Sequence, residues 1–558
     1  MSRRRACKLI SGSGIALYVG NGLGPISRAW AVDPELSGIS PIDRTLGELA
    51  PPIWFSDYPE TAHSVLWNKG AFMADPQHAA PESTEIAPLV IVGGGMSGLL
   101  TAYLLRKHNP IVLEQAPRFG GNAKGQSWHG IEYALGAAYI CEPDRRSPIE
   151  NLLKELELIG TAKIKDGEDP FAINNTIINT FWSGSAPGIP ESTQKQIRRL
   201  KIYFDDVNGA THAPYPEVPI LNPKHATYIK DLDRHSFREH LENVLGEPLH
   251  GHLETAIEQY CWSSFGASAS EIGAAGGLNF YASEFRNIWC FPGGNAAIAE
   301  RALDRLSKTI RPENLRPGSL VYDVTVDGRR AGVSYVDTAG KTHLIKAKSV
   351  VMACPKFVVN RVLSQIEPFR AAAIKRLSYR AYITANVCIA GSKGAAPFYD
   401  LYMLGDGLKQ GHDIRQAATA TKVTDVIFAT FARGSKDWTV LTLYRAFPYE
   451  GARGELLSPG SYSQYRQEFE KQIRESILPL LKINPKHVVD LRLARWGHPL
   501  PVHAPNLIAD GVVETIRAPF KERVFFVEQD NWALPAFETV ATEALHWAPR
   551  IDDFLTSQ

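Results

Sequence analysis

Cysteine is scarce. Six occur in 558 residues, at Cys7, Cys141, Cys261, Cys290, Cys354 and Cys388. The wide, irregular spacing excludes a disulfide framework, and no C-x-x-C or C-x-x-C-H is present for zinc or c-type haem. Buried free thiols are expected. Beyond the N-terminus no stretch approaches the roughly 18 apolar residues of a membrane span, so no stable span is expected. There is no P-loop, no H-E-x-x-H, no G-x-S-x-G and no internal repeat, which removes the common metal and serine-hydrolase chemistries. A basic excess is missing too. Lys and Arg number 60 and Asp and Glu 59. Without the five basic residues before Val32 the balance is 55 to 59, a net charge of about −4. Such a chain has no electrostatic footprint for nucleic acid. What remains is an ordinary globular composition, 44% hydrophobic and 21% charged, with length for two to four domains.

The first 31 residues read as an address. Arg3-Arg4-Arg5-Ala6-Cys7-Lys8 is a charged region, Leu9 to Leu23 a glycine-rich and weakly apolar one, and Ala29-Trp30-Ala31 a cleavage site. An arginine pair with Lys8 four residues after Arg4 is similar to a twin-arginine signal. The expected partner is the twin-arginine export machinery, and the expected location the periplasm. Residues 32–87, rich in Pro, Ala and short polar turns, read as an irregular extension.

Next comes Leu89-Val90-Ile91-Val92-Gly93-Gly94-Gly95-Met96-Ser97-Gly98, an apparent helix to Lys107, then Pro110-Ile111-Val112-Leu113-Glu114. This is strand, glycine turn, helix and strand within about 30 residues, the context that G-x-G-x-x-G requires for dinucleotide binding. Gly93 permits the tight turn, Gly95 lets the backbone approach a pyrophosphate, and Gly98 lets helix pack on strand. The helix N-terminus, where Ser97 lies, favours phosphate. Glu114, 21 residues after Gly93, is placed to accept ribose hydroxyls, with Gln115 beside it.

The continuation, Arg118-Phe119-Gly120-Gly121-Asn122-Ala123-Lys124 and then Gly136-Ala137-Ala138-Tyr139, resembles the flavin amine oxidase superfamily, including spermidine-dehydrogenase-like and phytoene-desaturase-like proteins. The resemblance implies non-covalent FAD. It also implies an α/β fold, with a discontinuous Rossmann-type FAD-binding domain (88–144, 290–365 and 516–558) and a mixed α+β substrate domain (145–289 and 366–515). Arg118, Gly120, Gly121, Asn122, Gly136, Ala137 and Ala138 become cofactor contacts. So do Val321 in Leu320–Val324, Asp530 ending Arg523–Asp530, and Glu538 and Thr539 opening a helix that points at the cofactor. Three departures stand out. Asn122 occupies a position that often holds arginine, with Lys124 the nearest replacement. Glu528 and Gln529 are bulky where small residues are usual. The stretch Tyr379–Asn386 lacks the lysine that amine-oxidising members commonly carry.

In a flavoprotein the ring carries the redox step and the protein supplies orientation and exclusion of water. Trp496, Trp532 and Trp289 are candidate walls for an amine substrate, and His498 a candidate base. The expected function is hydride transfer from an amine, possibly a polyamine, to the flavin, with an electron acceptor of a kind left open. Two alternatives stand beside it: a desaturase or isomerase of an apolar substrate, and a flavin-binding protein without turnover.

Overall fold

A computed structural model describes residues 54–55, 57–78, 85–212, 214–391, 397–405, 407–408 and 413–557. The proposed export signal and the start of the extension lie outside these residues.

Two seven-stranded sheets organise the chain. In the first, Glu85–Val92 lies between Ile111–Glu114 and Thr342–Met352, parallel to both. Leu315–Pro317 extends it beyond Ile111–Glu114. Strand Thr342–Met352 is shared: its first half pairs antiparallel with Arg330–Val336, and its last residues pair parallel with Val524–Phe526. Leu320–Asp327 closes that edge. Residues 440 apart thus meet in one sheet, as a discontinuous domain requires.

These strands are near-continuous apolar runs because both faces are covered. Helices Met96–Leu104, Ala296–Ser307 and Phe537–Thr556 pack on one face. The last repeats Phe537, Val540, Ala541, Ala544, Trp547, Ala548, Ile551 and Leu555 at helical spacing, all buried. The other face is covered in part by Val65 and Leu66, and there the structure departs from expectation. Within the segment read as irregular, Pro59–Leu66 and Lys69–Ala74 are helical. Pro59 suits a first helical turn, where no amide donor is needed. In composition such a short helix is indistinguishable from a proline-rich loop.

The second sheet runs Val488–Pro501, Tyr379–Ala390, Trp438–Phe447, Asp425–Phe428, Tyr402–Gly405, Phe171–Ile173 and Thr176–Ile178. All its pairings are antiparallel except Tyr402–Gly405 with Phe171–Ile173. One face packs on Ile383, Ala385, Val387 and neighbouring apolar groups. The alternate residues Tyr382, Thr384, Asn386 and Cys388 point the other way, towards the first sheet's turns. Among the described residues no helix is long and apolar enough to cross a membrane.

Glu543 pins the final helix. Fully buried, its carboxylate accepts from both Nε and Nη2 of Arg517, from the indole N–H groups of Trp532 and Trp547, and from Asn531. A buried carboxylate is tolerated only when so completely paired. Glu543→Ala leaves the Arg517 guanidinium and two indoles without their acceptor. A loss of about 3–5 kcal/mol is expected in urea unfolding, with a smaller loss for Glu543→Gln. Wild-type stability in Glu543→Ala would contradict this role.

Candidate cofactor and substrate site

The first glycine turn is built on backbone contacts that admit no side chain. Gly93 has φ +112°, and a Cβ there would lie 2.4 Å from the Ala353 carbonyl oxygen. A Cβ on Gly98 would lie 1.9 Å from the Gly93 carbonyl oxygen, so helix and strand meet backbone to backbone. The second glycine pair docks against the first: Gly120 N–H donates to Gly94 O at 2.8 Å, and a Cβ on Gly121 would meet Gly95 Cα at 2.8 Å. No side chain caps the helix that follows Gly95, leaving its first N–H groups for a ligand. Ser97 is buried in its first turn.

Glu114 ends its strand with the carboxylate already oriented. One oxygen accepts from Gly94 N–H at 2.7 Å, the other from Ala116 N–H at 2.8 Å. Each keeps a lone pair for a hydroxyl donor. Gln115 beside it is exposed. Val321 sits two residues beyond Ser319, whose N–H donates to the Glu114 carbonyl, and its side chain lies in the core. Arg118 donates to the Gly125 carbonyl at 3.0 Å. Lys124 is buried with its ammonium 5.4 Å from the Tyr58 ring centre, and burial pushes its pKa down to about 8 against the pull of Glu114.

The turn Gly136–Ala138 is the junction of the two sheets. Trp496 Nε1 donates to the Leu135 carbonyl at 2.8 Å, and the Tyr444 hydroxyl donates to the Gly136 carbonyl. Tyr399 donates to the Ala138 carbonyl at 2.9 Å. Asn295, of Pro292-Gly293-Gly294-Asn295, donates to the carbonyls of Ala137 and Tyr139. Ala137 itself stays exposed. Nearby, the Pro499 carbonyl accepts from Asn122 Nδ2 at 3.3 Å and from Gln529 Nε2 at 2.8 Å. One peptide group therefore ties the second glycine pair, the Trp496 strand and the last strand of the first sheet.

The bulky Glu528 folds back. It is buried, ion-paired with the fully buried Lys356, and accepts from Asp530 N–H. Burial, partly opposed by Lys356, raises its carboxyl to about 8. Asp530 accepts from Lys356 N–H at 2.9 Å and from the Tyr379 hydroxyl. Glu538 accepts from Cys141 N–H at 2.8 Å. Thr539 is fully buried, and its hydroxyl has no partner, at the uncapped start of the 20-residue final helix. An orphaned hydroxyl at an uncapped helix start, together with a glycine turn that leaves no room for side chains at Gly93 and Gly98, fits a dinucleotide.

The candidate wall residues and the candidate base separate. Trp496 is at the junction just described. Trp532 is occupied elsewhere: its indole donates to Glu543, and its carbonyl accepts from His503 Nδ1 at 2.9 Å, so it braces the final helix. Trp289 packs in the core beside Phe291. His498 stacks on Phe357 with ring centres 4.3 Å apart. Burial, and then Arg453 and His63, push its pKa down to about 3, so it is a neutral imidazole and a poor general base at physiological pH. The N-terminal segment reaches this strand too, where Asp57 accepts from Arg495 Nε at 3.0 Å and Gly497 N–H at 3.1 Å.

Sequence patterns did not reveal the wall facing the Gly136 turn. Asp425, Tyr444 and Thr384 stand opposite one another on adjacent strands, so their side chains share a face. No local motif marks such a row.

A family described as an NAD(P)-binding Rossmann-like domain matches residues 91–156. Oxidoreductase PigB of Serratia sp. (strain ATCC 39006) is 22% identical over 511 residues, covering 81% of this chain and 73% of that protein. Among solved structures, wild-type putrescine oxidase bound to putrescine superposes with a TM-score of 0.60 at 18% identity, covering 84% of this chain and 99% of the other. A fatty acid isomerase from P. acnes that produces CLA gives 0.59 at 13% identity, covering 83% and 98%. The chain therefore has a Rossmann-like dinucleotide-binding domain within the flavin amine oxidase fold.

His498 makes a pH test available. Its folded pKa lies below the ordinary 6.5, so as pH falls the unfolded chain takes the proton first. The neutral imidazole's contribution is whole above about pH 6.5 and is lost as pH falls towards 3, by at most about 1.4 kcal/mol per pH unit. His498→Phe should flatten the decline of Tm between pH 6.5 and 4. Identical slopes would mean that the imidazole is not held neutral.

Proposed function

We propose that the chain is an FAD-dependent oxidoreductase that oxidises an amine, possibly a polyamine, and holds its FAD without a covalent bond. One observation carries this reading: the second sheet's polar, tyrosine-bearing wall is bonded directly to the cofactor-side turn, through Tyr444 to Gly136 and Tyr399 to Ala138. A substrate on that wall lies beside the dinucleotide cradle.

The glycine turn and the helix start at Met96 would hold the pyrophosphate, Glu114 the adenosine ribose, and Asp530, Glu538 and Thr539 the remaining polar groups. Bound FAD would supply a two-electron acceptor for the C–H bond beside the amine nitrogen. The chain orients that C–H bond and excludes water. Trp496 fixes the turn, and the tyrosines attract a cationic end. Neutral His498 makes no charged contact. A desaturase or isomerase of an apolar substrate is disfavoured by Asp425 and the tyrosine hydroxyls on the wall.

The test is the visible spectrum of the purified protein before and after anaerobic addition of a panel of primary amines and polyamines. Flavin bands should be present and should bleach. Bands that survive every amine would refute amine oxidation.

The N-terminal arginine pair supports a second proposal, export of the folded, FAD-loaded protein to the periplasm. Replacing Arg3 and Arg4 by lysine should retain the protein in the cytoplasm on cell fractionation. Undiminished periplasmic recovery would rule out the twin-arginine route.

A further inference from the structure

The segment that precedes the first strand is fastened to both sheets. At one end it lies along Val488–Pro501, an edge strand of the second sheet. Phe55 N–H donates to the Leu493 carbonyl at 3.0 Å, and Asp57 N–H to the Arg495 carbonyl at 3.3 Å. Trp54 meets Tyr462 edge to face with ring centres 5.2 Å apart, and the Arg495 guanidinium lies 5.3 Å from the Trp54 ring centre. At its other end the segment belongs to the first sheet. Val65 and Leu66 are buried in that core. Lys69 Nζ donates to Asp323 at 2.7 Å, to the Ser364 hydroxyl at 2.9 Å and to the Arg361 carbonyl at 3.1 Å. Trp67 packs on the Arg361 guanidinium, 3.8 Å from its ring centre.

Between those ends, two adjacent residues close a circuit of contacts at the cofactor-side turn. The Asp57 carboxylate accepts from Arg495 Nε at 3.0 Å and from Gly497 N–H at 3.1 Å. Trp496, which lies between those two residues, donates to the Leu135 carbonyl at 2.8 Å. Leu135 N–H donates in turn to the Lys124 carbonyl at 2.8 Å. The Lys124 ammonium is 5.4 Å from the ring centre of Tyr58, and Tyr58 follows Asp57 directly. Lys124 is buried, and an aromatic face is one of the few neutral surfaces that favours a desolvated ammonium. The circuit therefore runs Asp57, Gly497, Trp496, Leu135, Lys124, Tyr58 and back to Asp57. It ties the stretch after the second glycine pair to the start of the Gly136 turn. Asp57 and Tyr58 stand 36 and 35 residues before Gly93, outside the strand–turn–helix–strand unit.

We propose that Asp57 and Tyr58 are positioning residues for FAD, carried by an N-terminal clasp whose docking fixes the second glycine pair and the Gly136 turn at the spacing the cofactor needs. The inference rests on the FAD reading above and goes beyond it, since it places part of the cofactor's binding strength outside the dinucleotide-binding unit. Asp57 acts through Gly497 and Trp496 on Leu135, and Tyr58 acts through Lys124. Docking of the clasp and binding of FAD then strengthen each other by one and the same factor, because coupling between two sites is reciprocal. Strand Val488–Pro501 must be in place before Phe55 and Asp57 can pair with it, so the cofactor is held at full strength only once the substrate sheet has formed.

The experiment uses the full chain and reads the coupling in both directions. FAD affinity is measured from flavin fluorescence as the loaded protein is diluted. Asp57→Ala and Tyr58→Leu should each weaken FAD binding by at least about fivefold, the lower end of ordinary coupling between sites. Tyr58→Phe keeps the ring face towards Lys124 and should bind FAD as the wild type does. In the wild type, which needs no variant to fold, hydrogen exchange at the Phe55 and Asp57 amides is compared with and without FAD. Amides at a sheet edge exchange by local opening, so FAD should slow them by about that same factor. Exchange that FAD leaves unchanged overturns the proposal, as does wild-type FAD affinity in both Asp57→Ala and Tyr58→Leu. Either result, in a wild type that binds FAD, refutes the clasp and leaves the cofactor reading standing. A wild type that takes up no FAD refutes the cofactor reading, and the proposal falls with it.

Discussion

The short segment from Leu135 to Tyr139 is held from both sheets at once, and the site's geometry depends on that grip. Its carbonyls accept from Trp496, Tyr444 and Tyr399 of the substrate side and from Asn295 of the cofactor side. A turn with no regular ladder must find partners for its carbonyls one by one. Here each partner comes from a different element. The result fixes the distance between dinucleotide cradle and substrate wall, which regular secondary structure alone would leave free.

Charge is handled differently on the two sides of that junction. On the cofactor side Glu543 has Arg517 and two indoles, Glu528 has Lys356, and Asp530 has Tyr379 and a backbone amide. These are closed networks, in which loss of one member strands the others. On the substrate side Asp425 and Glu284 meet hydroxyls but no cation among the described residues. The bulky Glu528 is buried against Lys356.

Much of the cofactor half was legible in the sequence, and the reason is local. Gly93, Gly95, Gly98 and Glu114 lie within 22 consecutive residues, and each answers to a steric or hydrogen-bonding demand of one strand–turn–helix–strand unit. The second glycine pair and the Gly136 turn follow closely. The helix expected to open at Glu538 and Thr539 does so, spanning Phe537–Thr556. The short helix Pro59–Leu66 was missed because eight residues carry too little periodicity to stand out in a proline-rich segment. Trp532 lies two residues from Asp530 and His498 two from Trp496, but proximity in sequence does not fix direction: the indole turns to Glu543, and the half-buried imidazole packs on Phe357.

The sequence by itself determined the dinucleotide-binding unit and the type of fold around it, because close backbone contacts demand glycine wherever they occur and the demanding residues are neighbours in the chain. The tertiary structure decided what faces the cofactor. Asp425, Tyr444 and Thr384 become a row only when three strands separated by up to 60 residues pair in register. Glu284 and Asp425 come to share the hydroxyls of one helix only when the fold brings Tyr260 and Ser263 against them. Strand pairing is a non-local choice made by the whole buried surface, so no spacing in the chain announces it.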